Sequence, residues 1–463
     1  MGVSNKKKNE HIFVKPADAN ISQAFSRGNG ITKLSFFIFG LGNLLNGQIA
    51  RGIIFLGIEI AYIIYMVTSG FNALGGLVTL GTVEQQEVWD DALGMYTYTD
   101  GDNSMLFLLF GVIAVFLTVA IIFFGCVSGK SAFCTQYRKE KGMHVPTFMD
   151  DLRSVKEENL HVVMMSIPIV GILIFTITPL IFTILVAFTN YDRNHQPPGK
   201  LFTWVGLDNF TAFFESTGRL GTTFWPVLGW TLIWAIFATV TCYVGGLILA
   251  LLINRKGTKA KGFWRFMFVI SIAVPQFVTL LSMKTIFNDN GPVNILLQDW
   301  GIIDKPIYWF SDPTLAKILI IVINFWIGVP FTMLSTTGIL QNIPGELYEA
   351  AKIDGANAIT IFWKITIPYM VFVMTPNLIT SFTGNINNFN VIYLLSGGGP
   401  TNPEYYFAGD TDLLVTWLYK LTLDQKDFNL GAVIGILTFI VLATVSLLTY
   451  RNTASYKDEG AFQ

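Results

Sequence analysis

Charge is scarce in this chain: Asp, Glu, Lys and Arg make up 13% of 463 residues, against 52% hydrophobic residues. Soluble domains carry roughly 25% charged residues, so an ordinary soluble enzyme or binding module is excluded. The net charge of −1 gives no general electrostatic case for nucleic acid. The three cysteines, Cys126, Cys134 and Cys242, lie in or beside apolar runs without paired metal spacing. They read as small membrane-packing residues or idle thiols. The four histidines, His11, His144, His161 and His195, are scattered and match no zinc pattern, so no metal site is expected. No nucleophile, base and orienting group fall into a catalytic arrangement, and the chain is expected not to be an enzyme. Gly125 to Ser131 (GCVSGKS) is one residue short of a phosphate loop and follows an apolar run rather than a strand. Gly397-Gly398-Gly399-Pro400 lacks a nearby phosphate-binding lysine and reads as a turn. No short apolar region with a small-residue cleavage site follows Lys6-Lys7-Lys8, so no cleaved signal peptide is expected.

Long apolar runs are abundant instead. A helical crossing needs ~20 apolar residues, and eight stretches qualify: 52–69, 105–127, 163–189, 227–253, 266–288, 315–341, 369–395 and 429–450. Before them, 35–49 is broken by Gly40, Gly42, Asn43, Asn46 and Gly47, which predicts an interfacial hairpin or re-entrant segment. With the N-terminus inside, the cytoplasmic pieces hold 22 of the 30 Lys and Arg and the outer loops 6. That imbalance orients the chain with both termini in the cytoplasm. Lys284 and Lys317 lie near outer span ends, where they can snorkel. Loop 254–265 concentrates five cations and reads as a topology anchor against anionic headgroups. The outer loop 70–104 has no cation and reads as a solvated acidic loop.

Between the sixth and seventh runs lies a polar stretch, Pro344 to Pro368 (PGELYEAAKIDGANAITIFWKITIP). Pro344 suits a first helical turn, and Glu346 and Glu349 follow near its positive end. Asp354-Gly355 breaks the run, and a second helix is predicted from about Asn357 to Pro368. The first helix has an apolar side of Leu347, Ala350, Ala351 and Ile353.

Glu349-Ala350-Ala351, three residues, Gly355, nine residues, then Ile365-Thr366-Ile367-Pro368 resembles the EAA signature of binding-protein-dependent ABC importer permeases. Ala187-Phe188-Thr189-Asn190-Tyr191, Val205-Gly206-Leu207-Asp208-Asn209-Phe210 and the stretch from Phe389 to Pro400 are similar to runs in the sugar-transporting members. Over about 160–450 the chain looks most like the larger permease subunit of maltose and maltodextrin importers, without the large outer insertion some of them carry in the place of 190–226. The resemblance implies an all-α polytopic membrane protein of about eight crossings with the type I ABC importer permease fold. Three parts are expected: 1–160 with a basic tail, two peripheral crossings and a cytoplasmic loop; 161–450, a six-helix permease core carrying the loop 344–368; and a cytoplasmic tail, 451–463. It implies a second permease subunit, two ATPase subunits and an extracytoplasmic sugar-binding protein as partners. ATP would be bound by the partner ATPase, and no cofactor by this chain. Glu346, Glu349, Ala350, Ala351, Asp354, Gly355 and Pro368 would couple the ATPase to the pathway.

The cargo path is hinted at by the spans themselves. Asn377, Ser381, Asn385 and Asn388 recur at spacings of 4, 4 and 3, and Asn324, Gly328 and Phe331 at 4 and 3. Such stripes avoid lipid, and their spacing fits inter-helix glue and a sugar path about equally. The resemblance tips the balance, since its substrate contacts align with Gln276, Asn324, Ile327, Gly328, Phe331, Ser381, Gly384, Asn385 and Asn388. Ile272 stands where that family member has a tyrosine, Gln276 replaces a serine, Phe331 a tyrosine and Gly384 a phenylalanine. A maltodextrin-type oligosaccharide is the preferred cargo and a galactan-derived one the alternative. An ion-coupled secondary transporter is a more distant reading, because the one clear mid-span acid is Glu59 in the first span.

Overall fold

The computed structural model describes residues 20–451 apart from Glu158, Ser216 and Lys256; Lys6–Lys8, His11 and the tail 452–463 lie outside them. The chain divides into two compact units that meet at Trp204 and Val205.

The first unit opens with three short helices, α1 (Ile21–Arg27), α2 (Gly30–Leu34) and α3 (Leu41–Leu45). Three long helices follow: α4 (Ile49–Thr79), α5 (Ser104–Glu140) and α7 (Leu160–Val186), with α6 (Phe148–Lys156) between the last two. The first crossing is longer than the run 52–69, because a π-helical turn over Met66–Gly70 carries α4 on to Thr79. A second π turn, Leu173–Ile177, interrupts α7 just before Pro179, where a regular turn would meet a missing N–H and a ring clash.

The glycine-rich stretch 35–49 is packed on one side, with Phe39 and Asn43 buried, and leaves Phe37, Ile38, Leu45 and Ile49 exposed. Gly40 adopts φ +77, and a Cβ there would meet the Gly52 carbonyl oxygen at 2.3 Å. Only glycine fits that approach. The Gly40 N–H donates to Ser128 Oγ at 2.8 Å, and buried Asn43 donates to Gln48 Oε1 and Ser131 Oγ at 2.7 and 2.9 Å. Glu59 accepts the Phe39 N–H at 2.7 Å, so this mid-span acid serves the fold of the segment before it.

The first unit also holds an antiparallel hairpin, β1 (Glu87–Asp90) and β2 (Met95–Tyr98), pairing Glu87 with Tyr98 and Asp90 with Met95. Its base is closed by Asp102, which accepts the Thr82 and Val83 N–H groups at 2.7 and 3.0 Å. Those two bonds hold its carboxyl below the ordinary range.

The second unit begins with α8 (Asp208–Phe214) and α9 (Arg219–Asn254), which packs along α13 (Pro313–Gln341). The fifth crossing is not the single helix expected over 266–288. It is α10 (Lys261–Ala273) and α11 (Gln276–Ile286), bent by 88°. Pro275 has no N–H and pushes Val274 into an extended conformation (φ −77, ψ 125), so the helix cannot run through. After α12 (Pro292–Asp299) and α13 come α14 (Gly345–Ile353) and α15 (Ala358–Ile386).

Two further expectations shift here. The helix after Asn357 does not stop at Pro368; a π turn over Phe362–Thr366 widens the backbone ahead of the proline, and α15 runs on. The seventh crossing ends at Ile386 rather than 395, because Asn388 caps a separate helix, α16 (Phe389–Leu395), by accepting the Val391 N–H. Then α17 (Leu414–Tyr419) and α18 (Phe428–Arg451) complete the unit. Its main core joins Trp230 and Trp234 of α9 with Leu280, Ile320, Ile323 and Leu395. Lys317 lies over the Trp230 ring, 5.1 Å from its centre, a cation–π contact. In the loop before α17, fully buried Asp412 accepts from Lys420 Nζ at 2.6 Å, the Gly409 N–H at 2.7 Å and Thr416 Oγ1 at 2.8 Å.

Among the described residues, seven helices are long and apolar enough to cross a membrane, and the bent pair makes an eighth. The fold is all-α and polytopic.

Candidate functional site

Where α10 breaks from α11, the second unit encloses a cavity of about 690 Å3. Each wall has a reason. The α9 wall presents Thr239, Cys242 and Tyr243, one helical turn of side chains on the face opposite lipid. The break itself exposes Gln276 at the first turn of α11. Asn324, Ile327, Gly328 and Phe331 come from α13; Ser381, Gly384 and Asn385 come from α15, and Asn388 from the turn after it. All nine residues anticipated as cargo contacts therefore line one cavity. Asn388 reaches it from the cap of α16, not from the helical stripe used to anticipate it.

The polar groups fall into two sets. Asn324 Nδ2 lies 3.5 Å from Cys242 Sγ, Asn385 Nδ2 donates to Thr239 Oγ1 at 3.0 Å, and Asn388 Nδ2 donates to Asn385 Oδ1 at 3.3 Å. These amides hold helices together as well as facing the cavity. Gln276, Asn377 and Ser381 make no side-chain hydrogen bond among the described residues. Tyr243 Oη is buried without a partner. A buried hydroxyl left unpaired costs about 1–3 kcal/mol; Gln276, Asn377 and Ser381 are the groups available to a polar ligand. Sequence reasoning missed Tyr243, Thr239 and Cys242, which sit in a continuous apolar run where no polar spacing marks the inward face.

A second feature is the turn between α14 and α15. Pro344 precedes α14 as its cap, one residue earlier than expected. Gly355 has φ +78, and the turn is closed by Gly355 N–H to Lys352 O at 3.0 Å and Ala356 N–H to Ala351 O at 2.9 Å. Asn357 caps α15 by accepting the Thr360 N–H at 2.8 Å. Glu346, Glu349, Ala350, Asp354, Gly355 and Pro368 are exposed, and Ala351 is half-buried. Beside them Leu347, Ile353, Ile359 and Trp363 are exposed, Ile353 by 86%. The base is anchored: Ile343 packs with Met370 and Met374, the last of which lines the cavity, and Tyr348 Oη lies 3.2 Å from Thr366 Oγ1. An exposed surface of mixed apolar and acidic side chains thus connects through α15 to the cavity wall.

An all-α polytopic protein with a polar cavity among broken helices and an exposed helical turn on one end has the build of a membrane permease. Residues 243–454 match the family described as binding-protein-dependent transport system inner membrane component. The chain is 36% identical to the galactooligosaccharides transport system permease protein GanP of Bacillus subtilis (strain 168), over 93% of this chain and 99% of that one. It is 35% identical to the maltodextrin transport system permease protein MalC of Streptococcus pneumoniae serotype 4, over 91% and 95%. The maltose/maltodextrin transport system permease protein MalF of Klebsiella aerogenes is 37% identical over 57% of this chain and 52% of that one. A solved bacterial ABC transporter involved in the import of the acidic polysaccharide alginate shares the fold, with a TM-score of 0.51 at 22% identity over 65% of this chain and 96% of that chain. The chain belongs to the family of binding-protein-dependent transport permeases, inner membrane components of ABC transporters.

Proposed function

We propose that this chain is one of two permease subunits of an ATP-driven oligosaccharide importer, with a maltodextrin-type sugar as its cargo. The observation that supports it most is the cavity: three unpaired polar groups, Gln276, Asn377 and Ser381, together with the Phe331 ring, line a space large enough for a few sugar units. Hydroxyls and amides exchange hydrogen bonds with sugar hydroxyls, and an aromatic ring covers an apolar sugar face. Asn324, Asn385 and Asn388, already tied to protein, fix the walls and offer their remaining acceptors. The relatives named for maltodextrins and for galactooligosaccharides both support a neutral sugar.

The chain contributes the path and a lever, and carries out no hydrolysis. An extracytoplasmic binding protein delivers the sugar, two partner ATPases bind ATP, and their closure moves the exposed surface from Glu346 to Pro368. Because α15 runs from that surface through a π turn at Phe362–Thr366 and past Pro376 to the cavity wall, a displacement of the turn is carried to Ser381 and Asn385. Both termini lie in the cytoplasm in this reading, supported by the 22-to-6 division of Lys and Arg.

The test is uptake of labelled malto- and galacto-oligosaccharides in cells that express the chain with its partner subunits. Uptake that requires an active ATPase is expected, with malto-oligosaccharides preferred. Uptake driven by an ion gradient without the ATPase refutes the reading, and preference for galacto-oligosaccharides moves the cargo to that class.

A further inference from the structure

The first unit holds a second cavity, of about 410 Å3, that the transport reading leaves unused. It lies where α4 begins and α5 emerges from its apolar run. Arg51, in the first turn of α4, reaches Ser131 of α5 at 3.4 Å (Nη1 to Oγ), which sets both at one level. Lys130 and Arg138 line the same space from α5, and their side chains make no hydrogen bond or close ion pair among the described residues, although the Arg138 charge acts on Asp151. The other carboxylate in the lining, Asp150, is taken up by His144 and the Thr147 N–H. Lys130 is three residues past the apolar stretch 105–127, roughly 4–5 Å along the helix, which is headgroup depth.

The cavity is closed by α6, and α6 is oriented the opposite way from a helix on a soluble core. Its apolar side chains Phe148, Met149, Leu152 and Val155, which share one face at helical spacing, are 39% to 65% exposed. Its polar face turns inward: Asp151 is paired with Arg51, with Nε to Oδ2 at 3.1 Å, and Ser154 lines the cavity. Thr147 and Asp150 fix its start in a capping box. A helix that hides polar groups and presents apolar ones fits the boundary of a bilayer.

We infer that α6 lies in the lipid interface and that the cavity beneath it binds the phosphate headgroup of an anionic phospholipid between Lys130 and Arg138. Arg51 is held by Asp151 and serves as the latch that keeps α6 over the lipid. Guanidinium and ammonium groups are the usual partners of phosphate. The acyl chains of the lipid then cover the apolar face of α6 and the lipid-facing side of α5. The site rests on the reading of the chain as a membrane-spanning permease, and it is independent of which sugar is carried.

The test is native mass spectrometry of the full chain in neutral detergent, titrated separately with dioleoylphosphatidylglycerol and dioleoylphosphatidylcholine. One phosphatidylglycerol retained in preference to phosphatidylcholine is expected. Lys130→Ala with Arg138→Ala should weaken that adduct about thirtyfold, at one factor of five to six per cation. Lys130→Arg with Arg138→Lys, which keeps both charges, should restore it and guards against a folding defect. The matched pair Arg193→Ala with Lys200→Ala, both exposed in the stretch 190–226 and outside any cation cluster, should leave it unchanged. Equal loss from both alanine pairs, or no loss from either, overturns the site. Displacement of the lipid by excess inorganic phosphate also overturns it, because the cavity then takes a free anion. A chain that imports no sugar yet keeps this selective adduct counts against the transport reading and supports the lipid site.

Discussion

Replacing Gly355 separates two roles that the turn between α14 and α15 combines. The residue sits at φ +78, and a Cβ built there meets nothing within 4 Å. The open space means that an added methyl group clashes with nothing among the described residues. The cost within the chain is then only that of a left-handed backbone, about 1–2 kcal/mol for most L-residues and less for asparagine. Such a cost changes the population of the correct turn by a factor of roughly 5–30. Gly355→Ala and Gly355→Trp carry the same backbone cost, whereas Gly355→Asn carries less. A further loss of stimulation in a tryptophan variant whose chain inserts and keeps its thermal stability is therefore assigned to docking at the turn. The assay is yield of the assembled complex in detergent, followed by substrate-stimulated ATP hydrolysis on the same preparation. We expect stimulation near normal for asparagine, reduced for alanine and abolished for tryptophan, with the chain inserted in each case. Full stimulation in a correctly assembled Gly355→Trp complex refutes docking at this turn. Equal damage from asparagine and alanine refutes the backbone argument.

Ser381→Ala removes a hydroxyl that has no protein partner among the described residues, so sugar affinity should fall a few-fold to tenfold, by ~0.5–1.5 kcal/mol, while complex yield stays constant; unchanged uptake removes Ser381 from the path. Asn388→Leu should lower both uptake and thermal stability, since it also removes the cap of α16, worth ~0.5–2 kcal/mol; a loss of uptake alone contradicts the capping role. Lys420→Met should destabilise the loop before α17 by ~3–5 kcal/mol, because it leaves a buried carboxylate unpaired. Burial already pushes Asp412 above its ordinary value of 3.8, and Lys420 opposes it. Without the lysine the folded form holds a proton that the unfolded form lacks, so stability should be greatest below that value and fall as pH rises through the raised one; a melting temperature independent of pH refutes this. Single cysteines at Leu93 and Trp300, both well exposed, should react with an impermeant thiol reagent from outside in a background without Cys126, Cys134 and Cys242; labelling only from the cytoplasmic side reverses the orientation.

The sequence by itself determined the crossings, because a bilayer demands long apolar runs and these are local in the chain. It also determined the turn at Gly355, where glycine between two helix-forming stretches leaves few alternatives, and nine of the residues around the cavity, carried by a resemblance spanning most of the crossings. Tertiary structure decided the rest. The 88° break at Pro275 is hidden in the sequence because apolar residues continue on both sides of it. Pro368 looks like a stop, yet α15 passes through it, since a π turn removes the clash that a regular helix would suffer. Asn388 looks like the last rung of a stripe and is instead a cap, a role fixed by where the next helix starts. Tyr243, Thr239 and Cys242 are indistinguishable in sequence from lipid-facing neighbours, and only the packing of α9 against α13 and α15 turns them inward. Glu59 reads as a stray charge until the Phe39 N–H is brought to it. In each case the deciding partner lies far along the chain or on another helix, and a hydrogen bond or a close approach between such segments leaves no local pattern to read.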